Sequence, residues 1–337
     1  MAGGNPQVVL KRQRDGVPVP EDFSFVEGPM PTPGPDQILV RNIYLSLDLF
    51  VRKAMRGDHY GYDILKPGDV IHGNNVARVI RSNHPDYKPG DVIVVESGWQ
   101  HYAAVNANKV VAFVDPMLAP LSTAVGALGM PGLTAWASVT HLIQPTLGST
   151  FVVSAAAGPV GAVTGQLAKR AGARVVGIAG SDEKCQLVTR TYGFDACVNY
   201  KKADWEDQLK SACPDGIDGY HDNVGGTMLQ AVCKQFNLYA TVALCGRPND
   251  YNAGGYTGIQ LGPFIGKRAR VKGLVVYDYY GDRDTFLSVA APLVREGALK
   301  VKEDHVNGLE NAVAHFIKLV KGENVGKAIV AVGPEKA

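Results

Sequence analysis

Apolar residues follow two different rhythms along this chain. Up to about residue 125 they come in short β-type runs broken by Pro, Gly, Asn and Asp: QILVRNIYLSLD at 37–48, NNVARVIRS at 74–82, GDVIVVESG at 90–98 and KVVAFV at 109–114. Two KPGD stretches, 66–69 and 88–91, supply turn chemistry, and their unlike flanks argue against an internal repeat. A largely antiparallel β domain is expected here.

From about residue 130 strand and helix patterns alternate. TFVVS (150–154) predicts a strand, 161–171 a helix and RVVGIAG (174–180) a second strand. A helix beginning near Asp182 follows, then strand 197–200, helix 204–212, strand 219–224, helix 227–236 and strands 240–246 and 270–279. Repeated βαβ units of this length make the fold class α/β, with a doubly wound parallel sheet. Helix 309–322 and strand 326–332 close the chain and can join either that sheet or the N-terminal β domain.

Composition narrows the class. Lys and Arg number 34 against 32 Asp and Glu, a net charge of +2 spread along the chain, which leaves no basic run for nucleic acid or a membrane surface. The N-terminal MAGGNPQVVLKRQ has no apolar h-region, and no stretch nears the roughly 20 apolar residues of a membrane helix. A cytoplasmic protein with a small-molecule partner is expected. The five cysteines (Cys185, Cys197, Cys213, Cys233 and Cys245) are odd in number and form no CxxC, which fits reduced thiols.

One stretch carries candidate chemistry. SAAAGPVGAVTGQ (154–166) places Gly158, Gly161 and Gly165 between the apolar strand and its helix. Gly158 and Gly161 would let the backbone approach a dinucleotide pyrophosphate at the helix N-terminus, and Gly165 would let the helix pack closely on the sheet. The plain alternative is a tight turn that serves packing alone. An NAD site usually has an acid at the end of the second strand, but this strand ends Ile178-Ala179-Gly180 and continues Ser181-Asp182-Glu183-Lys184. Ser181 reads as an N-cap with two acids in the first turn, and Lys184 as a partner for a 2′-phosphate. The pattern favours NADP over NAD, with Asp182 keeping NAD open. A catalytic zinc site needs an early Cys and a His-Glu pair, whereas the first 184 residues hold no cysteine and His72 precedes Gly73-Asn74-Asn75. No metal is expected.

These residues resemble a known group. AxxGxxGxxxGQ (155–166) and GSDEK (180–184), with YLSLD (44–48), LGMPGLTAW (128–136), GFD (193–195), NY (199–200), DNVGG (222–226), CG (245–246), YN (251–252) and GENVGK (322–327), are similar to the zinc-independent medium-chain dehydrogenases/reductases. The branch they resemble holds the leukotriene B4 dehydrogenase/prostaglandin reductases, curcumin reductases and 2-alkenal double-bond reductases. The resemblance implies a GroES-like catalytic domain, 1–125 with 300–337 returning to it, around an NADP-binding Rossmann domain at 126–299. It also implies NADPH-dependent reduction of the C=C bond of α,β-unsaturated carbonyls, and a homodimer paired near Val271–Tyr277. Carried over by position, Gly158, Pro159, Val160 and Gly161 face the pyrophosphate. Ser181, Lys184 and Tyr200 hold the 2′-phosphate end. Asn223, Cys245, Tyr251 and Asn324 line the cofactor, and the backbone of Leu274, Val275 and Val276 runs near the nicotinamide.

The chain also departs from its relatives. Where they carry DPYMR it reads Asp48-Leu49-Phe50-Val51-Arg52, so the tyrosine that faces substrate is Phe50, and a second active-site tyrosine falls near Gly266. Hydride transfer to an enone needs a hydrogen-bond donor for the developing oxyanion. Tyr251 is the favoured catalytic candidate; Tyr60, Tyr62, Tyr279 and Tyr280 follow, each with a packing role as its plain alternative. Phe50, Trp99 and Met130, with Tyr279, are expected to wall the substrate pocket, and a core role is equally open for the first three. A quinone reductase and an NADPH-binding scaffold without hydride transfer are the competing readings.

Overall fold

The computed structural model describes residues 4–56, 64–248 and 258–336. Two compact units appear: Met1–Val125 with Glu303–Ala337, and Gly126–Lys302.

In the first unit, β1 (Asn5–Leu10) and β2 (Phe23–Gly28) pair antiparallel. The main sheet contains β3 (Gln37–Ser46), β4 (Asn74–Ser82), β5 (Val92–Glu96), β6 (Tyr102–Asn106) and β7 (Val110–Phe113). Two strands from the C-terminal segment join it: β14 (Glu303–Asn307) and β15 (Lys327–Ala331). The order is β14-β15-β3-β4-β5-β7 with β6 also on β3, and only β14 and β15 run parallel. The closing strand thus settles on the antiparallel sheet, with Ile329 opposite Ser46. Alternation along the strands sends Ile38, Val40, Val79 and Ile93 into one apolar cluster, and Ile43, Val76, Val94 and Ile329 into another. A third cluster forms where helix Ala312–Val320 lays Val313, Phe316 and Leu319 on Leu45, Val330 and Trp99.

The second unit is a parallel sheet of β8 (Thr150–Ser154), β9 (Arg174–Ala179), β10 (Ala196–Asn199), β11 (Ile217–Asp222), β12 (Phe236–Leu244) and β13 (Arg270–Gly273). Its order is β10-β9-β8-β11-β12-β13, the doubly wound arrangement in which chain direction across the sheet reverses between β8 and β11. The fold class is therefore the one expected: a Rossmann sheet and a mostly antiparallel β unit in one chain. The described residues contain no helix long and apolar enough to cross a membrane.

Two local expectations are corrected, and one helix was not expected. The strand expected over 270–279 stops at Gly273, and Val276–Asp282 winds into a 3-10 helix. Leu274 and Val276 are buried and Val275 exposed, so the strand-like alternation persists. The neighbouring strand, however, ends at Leu244, and the Leu274 N–H to Leu244 carbonyl bond at 2.9 Å is the last rung. The helix expected over 227–236 ends at Cys233, because Phe236 already belongs to β12. Helix Arg283–Arg295, which the apolar pattern did not suggest, carries Pro292 in its last turn.

Candidate cofactor site

All six strand ends of the parallel sheet lead directly into residues singled out from the sequence. Gly158–Gly161 follow β8, Ser181 and Lys184 follow β9, and Tyr200 follows β10. Asn223 follows β11, Cys245 follows β12, and Leu274–Val276 follow β13. Ligands of open parallel sheets bind in the crevice outside the carboxyl ends, at the point where the order reverses. Here that point lies between the turn after β8 and Asn223.

The three glycines of the turn have separate reasons. A Cβ on Gly165 would sit 1.9 Å from Cζ of Phe194, a buried ring, so this glycine lets helix Pro159–Arg170 meet the sheet side. A Cβ on Gly161 would sit 2.5 Å from the Ala155 carbonyl oxygen and 2.9 Å from the Ala156 Cα, so it admits the turn's own backbone. Ala155 itself holds φ at +49°, in the left-handed region. Gly158 meets little: its nearest neighbour would be the Ala155 carbonyl at 3.1 Å. Gly158 is also the N-cap of that helix and supplies no side-chain cap, while Pro159 has no N–H to give. The first-turn N–H groups and the positive end of a 12-residue helix are therefore left to an anion.

The corner after β9 and β10 is built differently. Ser181 caps helix Asp182–Gln186, its Oγ accepting from the Lys184 N–H at 3.1 Å, as the sequence suggested. Asp182 is already engaged. It accepts from Lys202 Nζ at 2.9 Å and Asn199 Nδ2 at 3.0 Å, and these bonds, the lysine's first, hold its carboxyl below the usual range. Tyr200 lies over Gly180, its hydroxyl 3.3 Å from where a Cβ would stand, and its ring is partly exposed. Lys202 was not singled out from the sequence; its only signal was the Lys-Lys pair after NY.

A buried polar network anchors the reversal point. Asn223 donates its N–H to Ser154 Oγ and its Nδ2 to the Ser154 carbonyl, both at 2.8 Å. Its Oδ1 is thereby turned to His221 Nε2 at 3.1 Å. That oxygen can only accept, so Nε2 carries the proton and Nδ1 accepts from Ser138 Oγ at 2.7 Å. Burial pushes His221 down to about 4, against the opposing pull of the Asn223 bond. The same burial raises Asp222, although the Gly225 and Val224 N–H groups, the Tyr220 hydroxyl and Ser154 all donate to its Oδ1. Cys245 donates its N–H to the Asp222 carbonyl, and its thiol is pushed up to about 12 by burial and then by the Asp222 charge. His221 and Ser138 carried no sequence signal, because their partners lie on other elements.

The substrate-pocket candidates fall in both units. Trp99 takes the core role that the sequence leaves open for it: it is wholly buried in the first unit's core, stacked on Phe23 at 6.4 Å and edge-on to Phe316 at 5.3 Å. Phe50, half-buried, opens helix Phe50–Arg56 and leans on the same core. Just before it, buried Lys327 donates to Asp48 Oδ1 at 2.8 Å and to the Leu47 carbonyl at 2.6 Å, while Ser46 Oγ donates to Asp48 Oδ2. That pair joins residues 279 apart and fixes the start of the helix. Asn324, buried in the same unit, donates to the Gly326 carbonyl at 2.7 Å. In the second unit Met130 begins helix Met130–Ala137, and Tyr279 stacks on His141 with centroids 5.5 Å apart. Tyr60, Tyr62 and Tyr251 lie outside the described residues. Among the described residues no three His, Cys, Asp or Glu side chains are placed to hold a metal ion.

A doubly wound sheet with an uncapped glycine turn at its reversal point, in one chain with an antiparallel β unit, is an arrangement that dehydrogenases/reductases share. Residues 6–113 match the family described as the N-terminal domain of oxidoreductase, and 159–294 the family described as zinc-binding dehydrogenase. The chain is 40% identical to the NADPH-dependent curcumin reductase of Escherichia coli K12, covering 97% of each chain. It is 38% identical to the NADP(+)-dependent 2-alkenal reductase of Nicotiana tabacum, covering 98% of each. The crystal structure of CurA from Vibrio vulnificus in complex with NADPH superposes with a TM-score of 0.91 at 36% identity, over 98% of this chain and 99% of that one. The chain belongs to the zinc-independent medium-chain dehydrogenases/reductases, in the branch of the curcumin, 2-alkenal and prostaglandin reductases.

Proposed function

We propose that this oxidoreductase reduces the C=C bond of α,β-unsaturated ketones and aldehydes. Its cofactor is NADP(H). The observation that carries the reading is the division of labour at the strand ends. An uncapped helix N-terminus suits a diphosphate, and the turn after β9, which carries Lys184 one helical turn from its Ser181 cap, suits a 2′-phosphate. The substrate half rests on likeness to the curcumin and 2-alkenal reductases over nearly the whole chain.

When bound, NADPH supplies a hydride for the β-carbon of the enone. The chain's residues bind and orient. The N–H groups of Val160 and Gly161 hold the diphosphate, Lys184 and Tyr200 grip the 2′-phosphate, and Ser181 keeps the helix of Lys184 in register. Asn223, fixed by Ser154 and His221, keeps a single orientation beside the turn. Cys245 and the backbone of Leu274–Val276 complete the second unit's side of the cofactor's surroundings. Phe50 has no hydroxyl to meet the developing oxyanion, and the Tyr251 hydroxyl takes that task, with Tyr60 and Tyr62 as the nearest substitutes. Mixing the protein with NADPH and a panel of enals, enones and quinones should consume NADPH fastest with the enals and enones, and Tyr251→Phe should slow it. Faster turnover of quinones would replace the reading with a quinone reductase, and none at all with intact NADPH binding would replace it with a scaffold.

The glycines separate packing from ligand. Gly165→Ala should destabilise the fold by about 1–3 kcal/mol through the Phe194 clash and leave NADPH affinity unchanged. Gly158→Ala should do the reverse, with little loss of thermal stability and NADPH binding weakened by roughly tenfold or more. Thermal melts and fluorescence titrations of both variants check this, and equal effects at both sites would return the turn to packing.

Two expectations about assembly and location complete the reading. The chain pairs as a homodimer through β13, an edge strand of its sheet whose Val271 is exposed, and continues the contact to Tyr277. Light scattering at micromolar concentration should give twice the chain mass; a monomer would reject it. Five free thiols suit the cytoplasm.

A further inference from the structure

Cys185 and Cys197 stand with their sulfurs 2.8 Å apart, Cys197 donating its S–H to Cys185. Cys185 lies on helix Asp182–Gln186, one residue after Lys184, and Cys197 lies on β10, three residues before Tyr200. Gly177 sits opposite Cys197 in the β9–β10 register, and a Cβ there would meet Ala156 at 2.8 Å and Val188 at 2.9 Å before the Cys197 sulfur at 3.3 Å. Both thiols are half-buried, whereas Cys213 and Cys233 are buried.

We propose that Cys185 and Cys197 form a reversible disulfide on exposure to hydroperoxides, and that this bond weakens NADPH binding. The second half rests on the reading of Lys184 and Tyr200 as the grip on the 2′-phosphate. A disulfide holds its sulfurs about 2.05 Å apart, so closure asks for a shift of less than about 1 Å. The two thiols are unequal. The hydrogen bond from Cys197 lowers Cys185 against its burial and the Asp182 charge, with Lys202 helping, while the same bond raises Cys197. Cys185 is thus the attacking thiolate and Cys197 the resolving thiol. The Cys185 thiolate displaces alkoxide or hydroxide from the hydroperoxide, which takes up a proton and leaves as an alcohol or water, and Cys185 becomes a sulfenic acid. The Cys197 sulfur then attacks that sulfur and expels water. Two thiols are oxidised by two electrons and one peroxide bond is reduced.

The consequence for the cofactor follows from position. The bond draws the helix that carries Lys184 against the strand that leads to Tyr200. A site that must clasp a phosphate tolerates a displacement of only about 0.5 Å. Asp182, Asn199 and Lys202 already tie these two elements together, so the shift passes to the grip.

The test uses the full chain, reduced and then treated with a few equivalents of hydrogen peroxide, alkylated and digested with trypsin. Cleavage after Lys184, Arg190 and Lys201 should yield peptides 185–190 and 191–201 joined by a disulfide. Two of the five thiols should be lost and returned by dithiothreitol. The oxidised protein should bind NADPH at least about threefold weaker in a fluorescence titration, a change of about half a tenfold step in Kd. Cys185→Ser and Cys197→Ser should each keep the affinity of the reduced protein after peroxide. Thiols lost without the linked peptides, no thiols lost, or a linked protein that binds NADPH unchanged would each overturn the proposal. A reduced protein that binds no NADPH would refute the cofactor reading instead, and the peptide map would still decide whether the bond forms.

Discussion

Lys184→Ala should raise the KM for NADPH by roughly 10- to 100-fold and leave that for NADH within about twofold, the range expected when one charge-assisted hydrogen bond is removed. The two cofactors differ only at the 2′ position, so their ratio isolates the phosphate from every other contact. Lys184 follows β9, in the turn where the 2′ position of the cofactor is proposed to lie. β9 ends in Ala179 with no acid, Ser181 is spent on capping, and Asp182 is held by Lys202 and Asn199. The substitution should leave the helix intact, because alanine has the higher helix propensity and the Ser181 cap binds the backbone N–H of residue 184, which the substitution keeps. Added salt should shrink the effect, since the side chain is partly solvent-exposed and screened. Steady-state kinetics with both cofactors at two ionic strengths check this, and equal losses for NADPH and NADH would remove Lys184 from the phosphate site.

That prediction was within reach of the sequence because everything it needs is local. Gly158, Ser181 and Lys184 lie within a few residues of strand ends whose apolar runs are unmistakable, and cap and turn chemistry is written in neighbouring residues. The succession of strands and helices along the second half of the chain followed for the same reason. Features that depend on a partner far along the chain were not legible. Trp99 read equally as wall or core until Phe23 and Phe316 closed around it. Segment 270–279 kept a strand's alternation, yet whether it is a strand depends on where β12 ends. Lys327 gave no sign of reaching Asp48, and Cys185 and Cys197 were two thiols among five until β9 and β10 paired. His221 is the extreme case, a histidine in an ordinary strand whose role comes from Ser138 and Asn223 on either side of it.

His221 makes the protein acid-sensitive in a definite window. Its folded pKa of about 4 lies below the 6.5 of an unfolded histidine, chiefly through burial. Between those values the unfolded chain holds the extra proton, so stability is full above about 6.5 and is lost as pH falls towards 4. From about pH 7 to about pH 4.5 this removes about 2 kcal/mol, at 1.36 kcal/mol per pH unit over the interval in which only the unfolded state is charged. Asp222 works the other way. Its raised folded pKa favours the protonated carboxyl, so its contribution is greatest at low pH and is lost as pH rises through the folded value. The difference between wild type and His221→Gln cancels Asp222 and the surface carboxylates, and denaturant melts at several pH values should show wild type losing about 2 kcal/mol more than the variant over that span. Parallel curves would mean that His221 titrates normally. A ring-nitrogen NMR titration reads the same group directly and should show one neutral tautomer, protonated at Nε2, down to about pH 5. Charging the ring adds its proton at Nδ1, where Ser138 Oγ must turn from donor to acceptor, while the Nε2–H bond to Asn223 survives, so NADPH affinity should hold for as long as the fold does.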